Sequence, residues 1–507
     1  MLCTIFSPRW DTNDDVAMSM VAHGYGIAEY GSPRLFFSNV VWGLIVRSLP
    51  SIDGLLGYSI ATLASLALAA GAVIYFLLRM HVSVIASMLV LAIVFAHPVL
   101  FPQFTVTAGL LAVAAVLGLL TYQRHESTFD LVAACLLAFV AYLIRDLELA
   151  LVMAAALPLL ASRKLVMLRA ARLAIGGLAI CIAGAAIANN WAYSPPEWQT
   201  FRQQNSARAP LTDFAATKLI LERPDILQRH GLSANDVRLV GSWFFADPQL
   251  SNPELLRTMV GEIPKQTVIE KNLALSLDAV SLPFGTKLLP LTLVAAVLLV
   301  LTPRANLFAA WSIAAAAVIA IAIAGRYPIV RVYFPLLALL ITAPLAMAFR
   351  LPRWKHIIAV IALVAGIALN VRPLIGEATV SDQTIAMARH QKFTSSASTF
   401  IWGGGFPFEF VFPVFTREED VRPSRIYGLG VLTLAPFSVA TADEQANTGL
   451  LVRLRSEAGI PLIATPSDLS LLNTYCMEHY GVSLRTEIAT RTELWTVLDA
   501  SCPSTAK

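Results

Sequence analysis

The residues best placed to do chemistry stand at the start of the chain, in "WDTNDDVAM" (10–18), where Asp11, Asp14 and Asp15 put three carboxylates in five positions just ahead of the first long apolar segment. One reading is architectural. Asn13 caps a helix that starts at Asp14, and two acids in the first turn complement the helix dipole. It leaves open why the helix predicted from Val16 to Ala28 brings along His23, Tyr25 and Glu29 and runs into "GSPRLFFSNVVWGLIVRSL", an amphipathic stretch suited to a membrane surface. The other reading is chemical: paired acids at an interface hold a divalent cation, Mg or Mn, or take a proton from a hydroxyl. It makes Asp14 and Asp15 the candidate catalytic acids and the candidate metal ligands, with His23 and Glu29 beside them as candidate substrate contacts.

The elements that must position these residues are membrane helices. Hydrophobic residues make up 57% of the chain and charged residues 14%, whereas soluble domains carry about a quarter charged. Ten apolar runs are predicted to cross the bilayer: 55–78, 83–101, 104–121, 129–145, 147–161, 172–190, 287–302, 307–324, 328–349 and 356–372. The stretch 36–49, interrupted by Asn39 and Arg47, reads as an interfacial helix. Lys and Arg are retained in cytoplasmic loops, so "SRKLVMLRAAR" (162–172) and "FRLPRWKH" (349–356) are set inside. Three larger pieces then fall outside: the acidic stretch with its surface helices (1–54), a polar segment (191–285) and the tail (375–507). The two bundle halves are 55–190 and 286–372. Because "MLCTIFSPRW" has no insertion signal of its own, an earlier span is expected to precede it.

The outer pieces differ in character. Segment 191–285 is predicted helical from signals such as "SANDVRLVGSWFF" and "SNPELLRTMVGEI", each opened by a capping residue. The tail, which changes composition at Pro373, mixes short buried-strand patterns with helix periodicity and ends in two strands, "VSLRTEIAT" and "TELWTVLDA", joined by a tight turn. A small α/β domain fits. Its cysteines, Cys476 and Cys502, are placed to close a disulfide in an oxidising compartment. "IWGGGFP" (401–407) lacks the spacing of a phosphate loop and marks a strand exit. The net charge of +4 reflects inner-leaflet anchoring, and nothing points to nucleic acid.

An acidic pair in the first outer loop, followed by membrane-surface helices as in "MVAHGYGIAEYGSPRLFFSNVVWGLI", resembles the GT-C superfamily of polytopic glycosyltransferases. The resemblance implies a mainly α, polytopic helix bundle with an extracytoplasmic α/β C-terminal domain. It also implies a bacterial-type inner membrane, a sugar donor carried on polyprenyl phosphate and a glycan, lipid or protein acceptor in the cell envelope. The family's first span, which delivers the motif to the outer face, has no counterpart in this sequence.

A lipid phosphate near hydrocarbon must be paired with cations to offset its desolvation. On the outer face, "LIRDLE" supplies Arg145 with Asp146 and Glu148, and "AGRYPIVRVYF" supplies Arg326 and Arg331 around Tyr327 and Pro328. Ionisable groups at such depth are costly and commonly functional. Arg145, Arg326 and Arg331 are therefore the candidate phosphate ligands, and Glu148 a substrate contact. His97, at an outer turn, and Trp243, in an insert rich in aromatic and amide groups, join that list. Each has a plainer alternative: an ion pair within "LIRDLE" for Arg145, a loop hydrogen bond for His97, packing for Trp243.

Two rival functions remain. A transporter or lipid flippase predicts helices broken at the bilayer midplane; a non-catalytic envelope assembly protein makes the acids simple caps. The enzyme reading requires Asp14, Asp15, Arg145 and Arg326 to meet in one cavity although more than 300 positions separate the first from the last.

Overall fold

A computed structural model describes the whole chain except residues 1, 161–162, 215, 328, 348–351, 394–397, 422–423 and 504–507. Pro328, Ser162 and residues 349–351 of the basic clusters therefore lie outside the described residues. The protein is mainly α-helical and polytopic, with a small C-terminal α/β domain.

Each of the ten apolar runs is a helix, but their lengths differ. Among the described residues six are long and apolar enough to cross a membrane: Gly57–Arg79, Phe104–His125, Arg169–Ala192, Ala305–Ile323, Val330–Met347 and Arg353–Gln391. Helices Val84–Leu100 and Thr128–Ile144 are shorter, and Leu289–Leu301 reaches spanning length only with Val268–Phe284, from which it bends by 82°. Among the described residues, then, six of the ten runs have the length and composition of a span on their own, since at about 1.5 Å per residue a helix of 13–17 residues covers about 20–25 Å of the ~30 Å hydrocarbon core. Helix Phe104–His125 runs through the centre, buried along nearly its whole length, and Arg169–Ala192 lies at the periphery.

The change of composition at Pro373 does not end the last membrane helix, which continues to Gln391. Proline removes one backbone donor and can be absorbed within a long, packed helix. The α/β domain then begins at β1 (Thr399–Trp402). Its sheet has the order β2-β1-β3-β5-β4, with β2 (Ile426–Leu429), β3 (Ile460–Ile463), β4 (Arg485–Arg491) and β5 (Thr496–Ser501). β1 pairs in parallel with β2 and β3, and β5 runs antiparallel between β3 and β4. Strand β1, "TFIW", flanked by parallel β2 and β3, is buried throughout, as a parallel strand covered on both faces should be. The "VSLRTEIAT"/"TELWTVLDA" hairpin is the β4–β5 pair. Cys476, on helix Pro466–Tyr480, is bonded to Cys502 just past β5.

The segment 191–285 forms short helices. Ser233 caps Ala234–Gly241 in a reciprocal capping box with Asp236, and Asn252 caps Pro253–Gly261. Phe244 packs on Trp402 of β1 and on Tyr475, so the insert and the α/β domain share one core.

Candidate active site

The acidic helix spans Asn13–His23, shorter than the sequence suggested. It ends where Gly24 turns left-handed (φ 73°) and donates to the Met20 carbonyl; a Cβ at Gly24 would sit 2.5 Å from the Gly31 nitrogen, so only glycine closes this turn. Thr12, and not Asn13, precedes the helix, and its side chain makes no capping bond to the backbone. The cap reading of Asn13 is therefore incorrect, while Asp14 and Asp15 do occupy the first turn. The strand-like segment after the helix is stitched to the α/β domain. Gly26 exchanges hydrogen bonds with Ser424 and Ile426 (3.0 and 2.8 Å), and Val439 donates to the Ile27 carbonyl (3.0 Å). These bonds fix the acidic helix between the membrane bundle and the sheet.

Adjacent in sequence, the two acids diverge in space. Asp14 Oδ2 accepts from Arg331 Nη1 at 2.9 Å, each side chain about a quarter exposed. Asp15 is fully buried. Its Oδ1 accepts from the Tyr58 hydroxyl (2.9 Å) and the Phe104 backbone N–H (3.1 Å), and Oδ2 from Thr12 Oγ1 (3.3 Å). Burial pushes the Asp15 carboxyl well above the usual range, opposed mainly by the Tyr58 bond. Asp15 ties the acidic helix to Gly57–Arg79 and to the start of Phe104–His125. Both of its oxygens are engaged by the protein, so the expectation of an Asp14–Asp15 metal site or a two-acid catalytic pair does not fit these residues.

Asp14 looks into a cavity of about 390 Å³ whose lining includes Arg145, Glu148, Arg326, Arg331, Phe104 and Tyr327. Segments more than 300 residues apart thus converge as the enzyme reading required, with Asp15 as the exception. Arg145 sits at the break between helices Thr128–Ile144 and Asp146–Leu160, where its Nη1 donates to the Phe37 carbonyl (3.0 Å) and its guanidinium lies 5.6 Å from the Phe104 ring. Among the described residues neither Arg145 nor Arg326 forms an ion pair, which removes the internal-pair alternative for Arg145. Glu148 is 4% exposed, and its Oε1 has no hydrogen-bond partner among the described residues. Gly109 makes room for it: a Cβ there would lie 3.2 Å from Glu148 Cγ and closer still to Pro335. Three guanidinium groups in a partly apolar cavity suit an amphipathic phosphate, since each offers planar donors while the walls accept a hydrocarbon chain.

The other expected substrate contacts lie elsewhere. His23 Nε2 accepts from the Tyr58 backbone N–H (3.1 Å), and burial, with Arg47 nearby, lowers its pKa to about 4; it faces a separate cavity beside Glu418. Glu29 pairs with Arg425 (2.9 Å), which also pairs with Asp443 (2.9 Å), so it docks the α/β domain. His97 lines a third cavity with Asp11, Lys287 and Glu377. Trp243 carries the Arg208 guanidinium 4.4 Å over its ring and packs within the insert. None of these four lines the arginine cavity: a polar residue near an outer helix end has several crevices to enter, and its sequence position does not say which.

Asp14 also lines a second cavity, of about 110 Å³, together with Asn13, Ala17 and Met20 of the acidic helix. Its wall includes Ala17, Ile401, Phe408, Gly428 and Gly430, at the carboxyl ends of β1 and β2. Nothing in the sequence marked it, because it exists only where the acidic helix meets the sheet.

Fold and site together define a multi-pass membrane protein with an acid and three arginines gathered at one cavity. No protein-family model matches the chain, and no curated protein matches it. Two crystal structures of ArnT from Cupriavidus metallidurans align with it. The apo state aligns at 14% identity and TM-score 0.41 over 98% of this chain and 93% of that one. The structure bound to undecaprenyl phosphate aligns at 13% identity and TM-score 0.41 over 99% and 95%.

Proposed function

We propose that this protein is a membrane glycosyltransferase that moves a sugar from a polyprenyl-phosphate-linked donor to an extracytoplasmic acceptor, with its α/β domain outside a bacterial-type inner membrane. The observation that carries the reading is Asp14, a carboxylate that borders both an arginine-lined cavity and a second cavity at the sheet. A group-transfer enzyme needs a base between its two substrates.

In this mechanism Arg145, Arg326 and Arg331 hold the donor phosphate, and the apolar wall takes the first isoprene units. As the glycosidic bond breaks, negative charge grows on the phosphate oxygens, and fixed cations in a poorly solvated cavity lower that barrier. Asp14 accepts the proton of the attacking hydroxyl, while Arg331 holds its carboxylate in place. Asp15 acts through position alone. Glu148 shapes the floor of the phosphate cavity and limits which headgroup fits beside Arg145. No step is assigned to a metal, because the carboxylates do not present a paired site.

The transporter reading has one observation in its favour, the 82° bend between Val268–Phe284 and Leu289–Leu301. The two readings separate on Asp14→Asn, assayed with a panel of undecaprenyl-phosphate-linked sugars in membranes. Transfer should be lost with expression intact, and unchanged transfer would remove Asp14 from the mechanism.

A further inference from the structure

The cavity on the sheet side of Asp14 has a chemistry unlike that of a glycan site. Its wall is mostly apolar, formed by Ala17 and Met20 of the acidic helix, Ile27, Ile401 and the turn after β2. Two hydroxyls line it, and both are already committed. Thr433 Oγ1 donates to the Gly430 carbonyl (2.8 Å) and accepts from the Gly430 N–H (2.7 Å). Ser438 Oγ donates to the Thr433 carbonyl (2.7 Å) and accepts from the Thr441 N–H (3.0 Å). The polar side chains left to meet a ligand are Asn13 and Asp14, and Asp14 keeps Oδ1 without a hydrogen bond among the described residues. A sugar ring in this space would set most of its hydroxyls against apolar side chains, with Asn13 and Asp14 the side chains open to bond them, and each hydroxyl left unsatisfied costs about 1–3 kcal/mol. A molecule with one hydroxyl and an apolar body has no such penalty.

Resting on the function proposed above, we infer that this second cavity is the acceptor site and that its ligand is an apolar-bodied alcohol, a hydroxyl-bearing lipid chain, and not a polyhydroxylated glycan. The hydroxyl end meets Asp14 and Asn13; the chain lies against Met20, Ile27, Phe408 and Leu429. Asp14 Oδ1 takes the hydroxyl proton as the acceptor oxygen bonds to the anomeric carbon. The bond from that carbon to the phosphate oxygen breaks, its electron pair stays on the oxygen, polyprenyl phosphate departs through the arginine cavity, and Asp14 returns the proton to solvent. Placement at the carboxyl ends of parallel strands agrees with the general location of ligand crevices in open α/β sheets.

Gly430 provides a clean test, because it lines the cavity, a Cβ there meets nothing within 4 Å and its φ is not left-handed, so a side chain can be added at the cavity wall without backbone strain. Full-length protein in nanodiscs would be photolabelled with diazirine-tagged 1-hexadecanol and the labelled peptides mapped, with undecaprenyl phosphate binding measured alongside. Label is expected on Phe408 and on 428–433, displaced by 1-dodecanol and not by maltotetraose. Gly430→Leu should cut that label by about tenfold or more, leaving undecaprenyl phosphate binding within about twofold. Ala17→Leu, which enters the cavity from the opposite wall, should do the same and covers the case in which Gly430→Leu fails to fold. Label that persists in both variants, or that maltotetraose displaces as well as dodecanol does, overturns the inference. Wild-type protein that labels as expected but binds no undecaprenyl phosphate overturns the donor reading, and with it the role given to Asp14 between two substrates.

Discussion

Asparagine substitution of the two neighbouring acids should separate chemistry from architecture. Asp15 accepts hydrogen bonds from the Tyr58 hydroxyl and the Phe104 N–H in a fully buried setting. Asp15→Ala leaves both donors unsatisfied, and at about 1–3 kcal/mol for each the loss is roughly 2–6 kcal/mol, enough to lower the unfolding temperature by many degrees or prevent accumulation. Asp15→Asn keeps one carbonyl oxygen in the same place for both donors, so its cost should be about 1 kcal/mol and transfer should persist. Asp14→Asn reverses the pattern. It weakens one partly exposed pair with Arg331, worth about 1 kcal/mol or less, and the unfolding temperature should barely move, while loss of the base should cut transfer by about a hundredfold or more. Thermal unfolding of the detergent-solubilised variants by intrinsic fluorescence, run beside a transfer assay, reads both quantities. An Asp15→Asn protein that is folded, thermally normal and as inactive as Asp14→Asn would refute the division of roles.

Further outcomes follow from other parts of the structure. Arg145→Ala and Arg326→Ala should each weaken undecaprenyl phosphate binding by about tenfold to a hundredfold, the worth of a charge-assisted hydrogen bond, with little change in unfolding temperature; calorimetric titration checks this. His23, whose folded pKa is lowered to about 4 from 6.5, is less protonated in the folded than in the unfolded state between those values. Stability should therefore fall as pH drops from about 6.5 towards 4, and His23→Gln, which keeps an acceptor for the Tyr58 N–H, should flatten that slope in a pH series of melting curves. Denatured protein should take up alkyl groups at Cys3, Cys135 and Cys181 alone before reduction and also at Cys476 and Cys502 after it; mass spectrometry would show a disagreement as extra alkylation without reductant.

What the sequence made legible was whatever depends on local pattern. Long apolar runs had to become helices, the alternating C-terminal segments became β4 and β5, and Ser233 and Asn252 capped the helices they precede. The arginines were readable because a charge inside or beside an apolar run needs a reason to be there, and Arg145 and Arg331 share one cavity. Long-range docking was not legible. Asp14 and Asp15 are alike as letters, yet a turn of about 100° along a helix sends one into the arginine cavity and the other against Tyr58. His97 and Trp243 carried the same polar or aromatic signal as Arg145 and entered other crevices. The second cavity depends on Gly26 and Ile27 hydrogen-bonding to Ser424, Ile426 and Val439, some 400 residues later in the chain, which no local pattern encodes.

The most direct measurement is a structure of the full-length protein in a lipid environment with undecaprenyl phosphate added. The phosphate should lie within hydrogen-bonding distance of Arg145, Arg326 and Arg331, with Asp14 beside it and the prenyl chain leaving along Tyr327. A phosphate bound instead at the Lys287 and His97 cavity, with the three arginines untouched, would contradict the account.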